Sequence, residues 1–291
     1  MADGSRQQPG QPEPWELAWL QWARGVVRTK DDQLEHFAWC QKRLGIGAYL
    51  HDEASDPASG PDLRWPGYVG NSWKPGAGVL SLGSVHSDFT KLNGGAGSDA
   101  RLADVRRLAD AIRDYASRNA DDTEAGSRFL AASRQGYTAL APGWTRGRVL
   151  GAVLDAVMPE ATPAEGLARS AWTNLAHCRA RPSHTPGGEY PLQRACSGRA
   201  GAFPIDALIG TIWPAAILVP ISPFQGSQAR YYDIVPTEPA LPRPAGVADP
   251  LVVAFNGSTY QGKAGVWQGR PPGEWIPEVA EEIRHRQAQH G

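Results

Sequence analysis

The sequence is poor in cysteine, in lysine and in long apolar runs. Three cysteines spread over 291 residues are too few, and odd in number, for a disulfide framework, and they suit a reducing compartment. No stretch approaches the roughly 20 consecutive apolar residues that a membrane-spanning helix needs. The opening MADGSRQQPGQPEP lacks the basic, apolar and cleavage regions of a signal peptide. A cytoplasmic chain that does not engage a membrane is therefore expected. No internal repeat, Walker motif or dinucleotide fingerprint is present, and the glycine pair of LGIGAYLHDE lies in the wrong context for one.

What the chain does have is enough apolar content, 41%, for an extensive core, at a length that allows one large α/β domain or two small ones. Residues 1–13, rich in Gly, Pro and Gln, read as a disordered tail. Apolar spacing and start signals predict helices over 14–27, 31–44, 98–120 and 146–157. The last of these leads to a strand at SAWTNLAH (170–177), a helix over 202–213, strands at 215–222 and 251–258, and a C-terminal helix over 274–288. An earlier glycine-bounded run, PGAGVLSLGS (75–84), reads as a buried strand feeding a tight turn. Strands alternating with helices describe a three-layer α/β/α sandwich with a mostly parallel central sheet. Ligands of such sheets sit at the carboxyl ends of the strands. That rule nominates GSVHSDF, TNLAHCR, PISPFQG and NGSTYQG.

The net charge of −1 argues by itself against a nucleic-acid partner, but its distribution points the other way. No acid stands between Ala125 and Leu154, where Arg128, Arg134, Arg146 and Arg148 fall. Five arginines accompany one Glu from Arg169 to Arg199, Arg179 and Arg181 among them. Lys263 and Arg270 lie in an acid-free run from Pro250 to Gly273. Brought together, these segments would make the positive face of a polyanion binder. The plain alternative is a chain in which Arg is simply common, 24 against 5 Lys.

The order of these strand ends resembles the uracil-DNA glycosylase superfamily, and most closely its iron–sulfur branch. Thr173, Asn174, Cys178, Arg179 and Pro182 stand in a T-N-x-x-K-C-R-P-P pattern. Gly83 matches one position of a G-E-A-P-G motif. Asn256, Gly257 and Ser258 take the place of the closing H-P-S or N-P-S, and WCQKRLGIG resembles a C-x-x-C-x-L entry with Arg43 at the second cysteine. The resemblance spans about residues 34–286. It implies a single glycosylase-like domain over 14–291, with an insertion around 90–142, acting on DNA as a monomer.

Such an enzyme must extrude its base from the stack and read its edge in a pocket. A carboxamide suits a pyrimidine, since it offers a donor and an acceptor together; Asn174 is the candidate, and its alternative role is to cap a turn at a strand end. The resemblance places the water-activating carboxylate or amide at Val85, which cannot act. His86 and Asp88 on the same turn are the replacements, unless HSD merely caps that turn. Asn256 would donate to the departing base, on a loop that Gly257 leaves less rigid than proline would. Gly83, Ser84, Val85, Ser87, Phe89 and Ser258 would line the pocket. Ser87 stands where strict uracil enzymes carry a tyrosine against C5, so space opens for a C5 substituent. Trp144 could stack on the base, and the 90–142 insertion could roof the pocket.

This combination fits a glycosylase for a bulky modified pyrimidine, such as the glucosylated hydroxymethylcytosine of some phages, and is similar to antiphage glycosylases near this superfamily. Arg146, Arg148, Arg179, Arg181 and Lys263 would hold DNA. No lysine sits on a strand end, which disfavours Schiff-base lyase chemistry. A catalytically silent nucleic-acid binder and a hydrolase of free nucleosides are the other readings. Cys40, Cys178 and Cys196 fall at three of the branch's four cluster positions, one thiolate short of the usual four for a 4Fe–4S cluster. Either His36, His51 or water completes the set, or the cluster is lost and the cysteines are small apolar residues; the chemistry itself needs no cofactor. A brown protein prepared without oxygen marks a bound cluster, and a colourless one removes it.

Overall fold

The computed structural model describes residues 13–26, 67–86, 110–111, 114–115, 118, 122, 124–132, 149–179, 204–221, 241–256 and 265–289, with backbone alone at 84–86, 176–179, 220–221 and 256. The elements are α1 (Pro14–Val26), β1 (Tyr68–Val69), β2 (Val79–His86), α2 (Val149–Val157) and α3 (Pro163–Ala168). They continue with β3 (Ser170–Arg179), α4 (Ile205–Ile212), β4 (Ala216–Ile221), β5 (Leu251–Asn256) and α5 (Pro272–Ala288). Further helical residues lie at 110–111, 114–115 and 124–132.

The strands form one mixed sheet in the order β1-β3-β2-β4-β5. Three of its four pairings are parallel; β1, which nothing in the apolar pattern announces, pairs antiparallel to β3. Central strands buried on both faces need apolar residues at every position. In β4 the consecutive residues Ala216, Ile217, Leu218 and Val219 are all buried. Alternation then divides them: Leu80, Leu82, Ile217 and Val219 face α1, α4 and residues 124–132, whereas Val79, Ala216, Leu218 and Val253 face α2 and α5. Helices thus cover both faces, an arrangement compatible with a three-layer sandwich.

The first layer is held by aromatic packing. Trp15, Trp19, Ala23 and Val26 repeat on one face of α1 and are buried, as an amphipathic helix requires. Phe129 stacks 5.9 Å from Trp19 and 4.8 Å from Tyr115, and the Tyr115 hydroxyl donates to the Leu20 carbonyl at 2.8 Å. Burial pushes that phenol above its ordinary pKa. The described part of segment 90–142 therefore supplies core, through Tyr115, Ala125, Phe129 and Leu130; a roof over the strand ends would have to come from elsewhere in it. Glu13, assigned to the tail, instead stands at the head of α1 and donates its N–H to Glu16.

On the other face, Trp275 of α5 is fully buried, donates to the Gly265 carbonyl at 2.8 Å and meets Trp267 edge-on at 5.7 Å. The N-terminal side of the sheet is closed by Trp73, whose indole donates to the Ile212 carbonyl at 2.9 Å. Its ring fills the place a Cβ would need at Gly78. Chain reversal into β4 goes through Trp213 in the left-handed region, φ 43°, where glycine is the usual residue.

α3, short and unforeseen, starts with a capping box: Thr162 accepts from the Glu165 N–H, and the Glu165 carboxylate accepts from the Thr162 N–H at 2.7 Å and its hydroxyl at 2.9 Å. These donors hold the Glu165 carboxyl below its ordinary pKa. A lowered folded-state value stabilises the fold above the unfolded value, and that contribution is lost as pH falls through the folded one. Thr162→Ala is expected to lower the melting temperature at neutral pH, by a margin that shrinks on acidification through the carboxylate range; thermal scans across pH check this.

Candidate functional site

Beyond Ser81↔Leu218 the ladder between β2 and β4 ends. Both strands continue, but with other partners: β2 runs beside β3 as far as His86↔Arg179, and β4 beside β5 as far as Ile221↔Asn256. Among the parallel strands, β2 is flanked by β3 on one side and β4 on the other, so the chain goes from β2 to one side and from β3 back past β2 to the other. A doubly wound sheet has its ligand crevice at that switch point, outside the carboxyl ends. Gly83, Ser84, Val85 and His86 run up one side of the parting strands, and Asn256 ends the second strand on the other side.

Asn174 sits within β3, directly opposite Gly83. It is therefore a strand residue, and the turn-cap alternative falls. The residue is 1% exposed, and among the described residues its buried Nδ2 has no hydrogen-bond partner. A buried unpaired donor costs about 1–3 kcal/mol, so such groups are rare in folded proteins and often mark function. The carboxamide reaches its place only because residue 83 is glycine. A Cβ there would overlap Asn174 Oδ1 and stand 3.3 Å from Trp172 Cζ2.

One step further the register breaks. Val85 pairs with Ala176, but His86 pairs with Arg179, which leaves His177 and Cys178 as extra residues on β3. An irregularity of this kind bends its strand and re-aims the residues beyond it, and bulges gather beside active sites. It sets His86 opposite Arg179, two residues nominated from sequence for different roles. Val85 pairs in register with Ala176, so neither residue of that pair carries a carboxylate.

Gly83 and Asn174 thus lie within β2 and β3 at the level where β2 and β4 part, and Asn256 ends β5 at nearly the same level. Ser87, Asp88, Phe89, Trp144, Arg146, Arg148, Arg181, Ser258, Lys263, Cys40 and Cys196 lie outside the described residues, and of Ser84, Val85, His86, Cys178, Arg179 and Asn256 only the backbone is described. Among the described residues, no group of three His, Cys, Asp or Glu could hold a metal ion, and no helix is long and apolar enough to cross a membrane.

The basic segments need a correction. Arg128 pairs with Glu124 at 2.6 Å and Asp114 at 3.3 Å, and Arg270 pairs with Glu278 at 2.5 Å while stacking on Trp267. Arg118 also bonds Asp114, and that hydrogen bond is the largest cause holding the Asp114 carboxyl below its ordinary pKa. A run without acids in sequence is not without acids in space.

Sequence reasoning missed Trp172. It lies inside the apolar run rather than after it, so the strand-end rule passes over it. The signal was there: two residues before Asn174, it shares that residue's face of the strand. Two cavities lined by described residues lie elsewhere, one between α2 and α3 at Leu154, Met158 and Thr162, the other between α1 and α4 at Leu17, Trp22 and Thr211. No family model, curated protein or solved structure matches this chain.

Replacing the amide by a hydrocarbon of similar size removes the unpaired donor. Asn174→Leu is expected to raise stability by about 1–3 kcal/mol, read by denaturant unfolding. Gly83→Ala should destabilise the protein, and Asn174→Ala in the same chain should relieve most of that loss; additivity of the two changes would show that no clash exists.

Proposed function

We propose that this protein is a monofunctional DNA glycosylase that hydrolyses the N-glycosidic bond of an extruded, C5-modified pyrimidine and leaves an abasic site. The observation that carries the reading is the buried Nδ2 of Asn174, unpartnered among the described residues, at the level where β2 and β4 part. A group so costly to bury is accounted for if a ligand supplies its acceptor. A flipped base does so by its Watson–Crick edge, in a site that excludes water.

The mechanism is built from the residues at the strand tips. The base enters the crevice beside Gly83, whose missing Cβ leaves room for the Asn174 carboxamide, and its edge pairs with that carboxamide. As the glycosidic bond lengthens, positive charge develops on the sugar and negative charge on the base. His86, the last residue of β2, or Asp88 just after it would take a proton from the attacking water, and Asn256 at the end of β5 would donate to the leaving base. Arg179, whose backbone pairs with that of His86, would meet a phosphate flanking the flipped nucleotide. Ser87 leaves room at C5 for a substituent such as a glucosylated hydroxymethyl group, and Trp144 is the candidate stacking surface.

Cys40, Cys178 and Cys196 offer three thiolates, one fewer than a cysteine-only 4Fe–4S site uses. A cluster there would need a non-cysteine ligand and would be structural. No step above passes through it.

One observation favours a second reading. Val85 and its strand neighbour Ala176 put apolar residues where the resembling family activates water, as a silent DNA-binding member of the fold would. Incubation with DNA carrying uracil, hypoxanthine, hydroxymethylcytosine or glucosylated hydroxymethylcytosine separates the two. The expected result is free base and alkali-labile strand breaks with a C5-modified pyrimidine, reduced about a hundredfold or more by Asn174→Ala. Salt-sensitive DNA binding with no base released from any of the four would leave only the binder.

A further inference from the structure

Among the described residues the Asn174 carboxamide has no hydrogen bond at Nδ2, so its orientation must come largely from what it touches. The terminal torsion of asparagine is broad and nearly two-fold; without walls the amide would turn. One wall is the backbone of Gly83. The other candidate is Trp172, on the same face of β3. Its Cζ2 approaches to 3.3 Å the point where a Gly83 Cβ would stand, the very point that Asn174 Oδ1 encroaches on.

Trp172 is well placed to be a fixed wall. It packs against the buried residues of both core clusters. Its backbone is paired on both sides, with Tyr68 of β1 and Ser81 of β2. The chain at Gly67 presses so closely on the Trp172 carbonyl that only glycine fits there, at φ 101°. Two glycines, one on each neighbouring chain segment, thus make room around the same short piece of β3. Partial exposure of the indole leaves one part of the ring outside the core.

We infer that Trp172 is the positioning residue of the site: its ring edge, across the Gly83 notch, holds the Asn174 carboxamide with Oδ1 against β2 and Nδ2 free for a ligand. The consequence for catalysis rests on Asn174 reading a base, as proposed above; the geometric claim does not. Loss of the ring edge frees the torsion, and a misplaced reading group costs rate more than binding.

The test uses the full-length, isotope-labelled protein. The side-chain amide signals of Asn174 are assigned by their disappearance in Asn174→Leu. In the wild type they should form a resolved, slowly exchanging pair. Trp172→Leu should collapse the pair or speed its exchange, and Trp172→Phe should largely restore it. Trp172→Met keeps apolar volume without a rigid ring and is read in the same way should the leucine variant not fold. On a substrate cleaved by the wild type, kcat should fall about tenfold or more in Trp172→Leu, with KM changed less than about threefold. An unchanged amide pair in a folded leucine or methionine variant overturns the inference. A wild type that releases no base from any DNA sinks the glycosylase reading instead, while the amide signals still decide the role of Trp172.

Discussion

The structure depends at its centre on a missing atom. Gly83 has no Cβ, and the carboxamide of Asn174 lies in the space that atom would fill. That one contact joins the first two parallel strands near the level where β2 and β4 part and sets a polar group in a buried place. Either residue alone is ordinary. Together they make a buried donor that no described residue pairs, at a cost that is a sizeable part of a domain's net stability.

A defect of that size persists only if the surroundings hold it. Here the sheet does so through two cores, one against α1, α4 and residues 124–132, the other against α2 and α5. Residues Trp213 to Val219 are all buried, and Trp19, Phe129 and Trp275 are nearly inaccessible. Close packing resists the collapse that would close the notch. The ladder between β2 and β4 then ends early, and the irregularity after Val85 turns β3 aside. The sheet is thus packed on both faces at its centre, and β2 and β4 part towards its carboxyl edge.

Charge behaves differently from packing in this molecule. Arg128, Arg243, Arg270 and Arg286 each find a carboxylate, mostly at the surface, where such pairs contribute little stability. Their effect is to cancel field. Whatever attraction the protein has for a polyanion must come from arginines left over after this pairing. A count along the chain cannot identify them, because the acids that neutralise a basic segment come from other segments folded against it.

The amino-acid sequence by itself determined the class of fold. Helical apolar spacing and buried apolar runs marked β2, β3, β4, β5, α1, α2, α4 and α5 to within a few residues, since such patterns record local geometry and burial directly. It also placed Asn174 and Gly83 among the residues of interest. It could not announce β1, two residues long, or α3, six residues long, because elements that short carry no period. Nor could it show that Asn174 lies over Gly83, that Trp172 closes the same notch, or that Arg128 is neutralised by Asp114. Those are relations between residues far apart in the chain, and strand register and helix docking alone bring them within reach of one another.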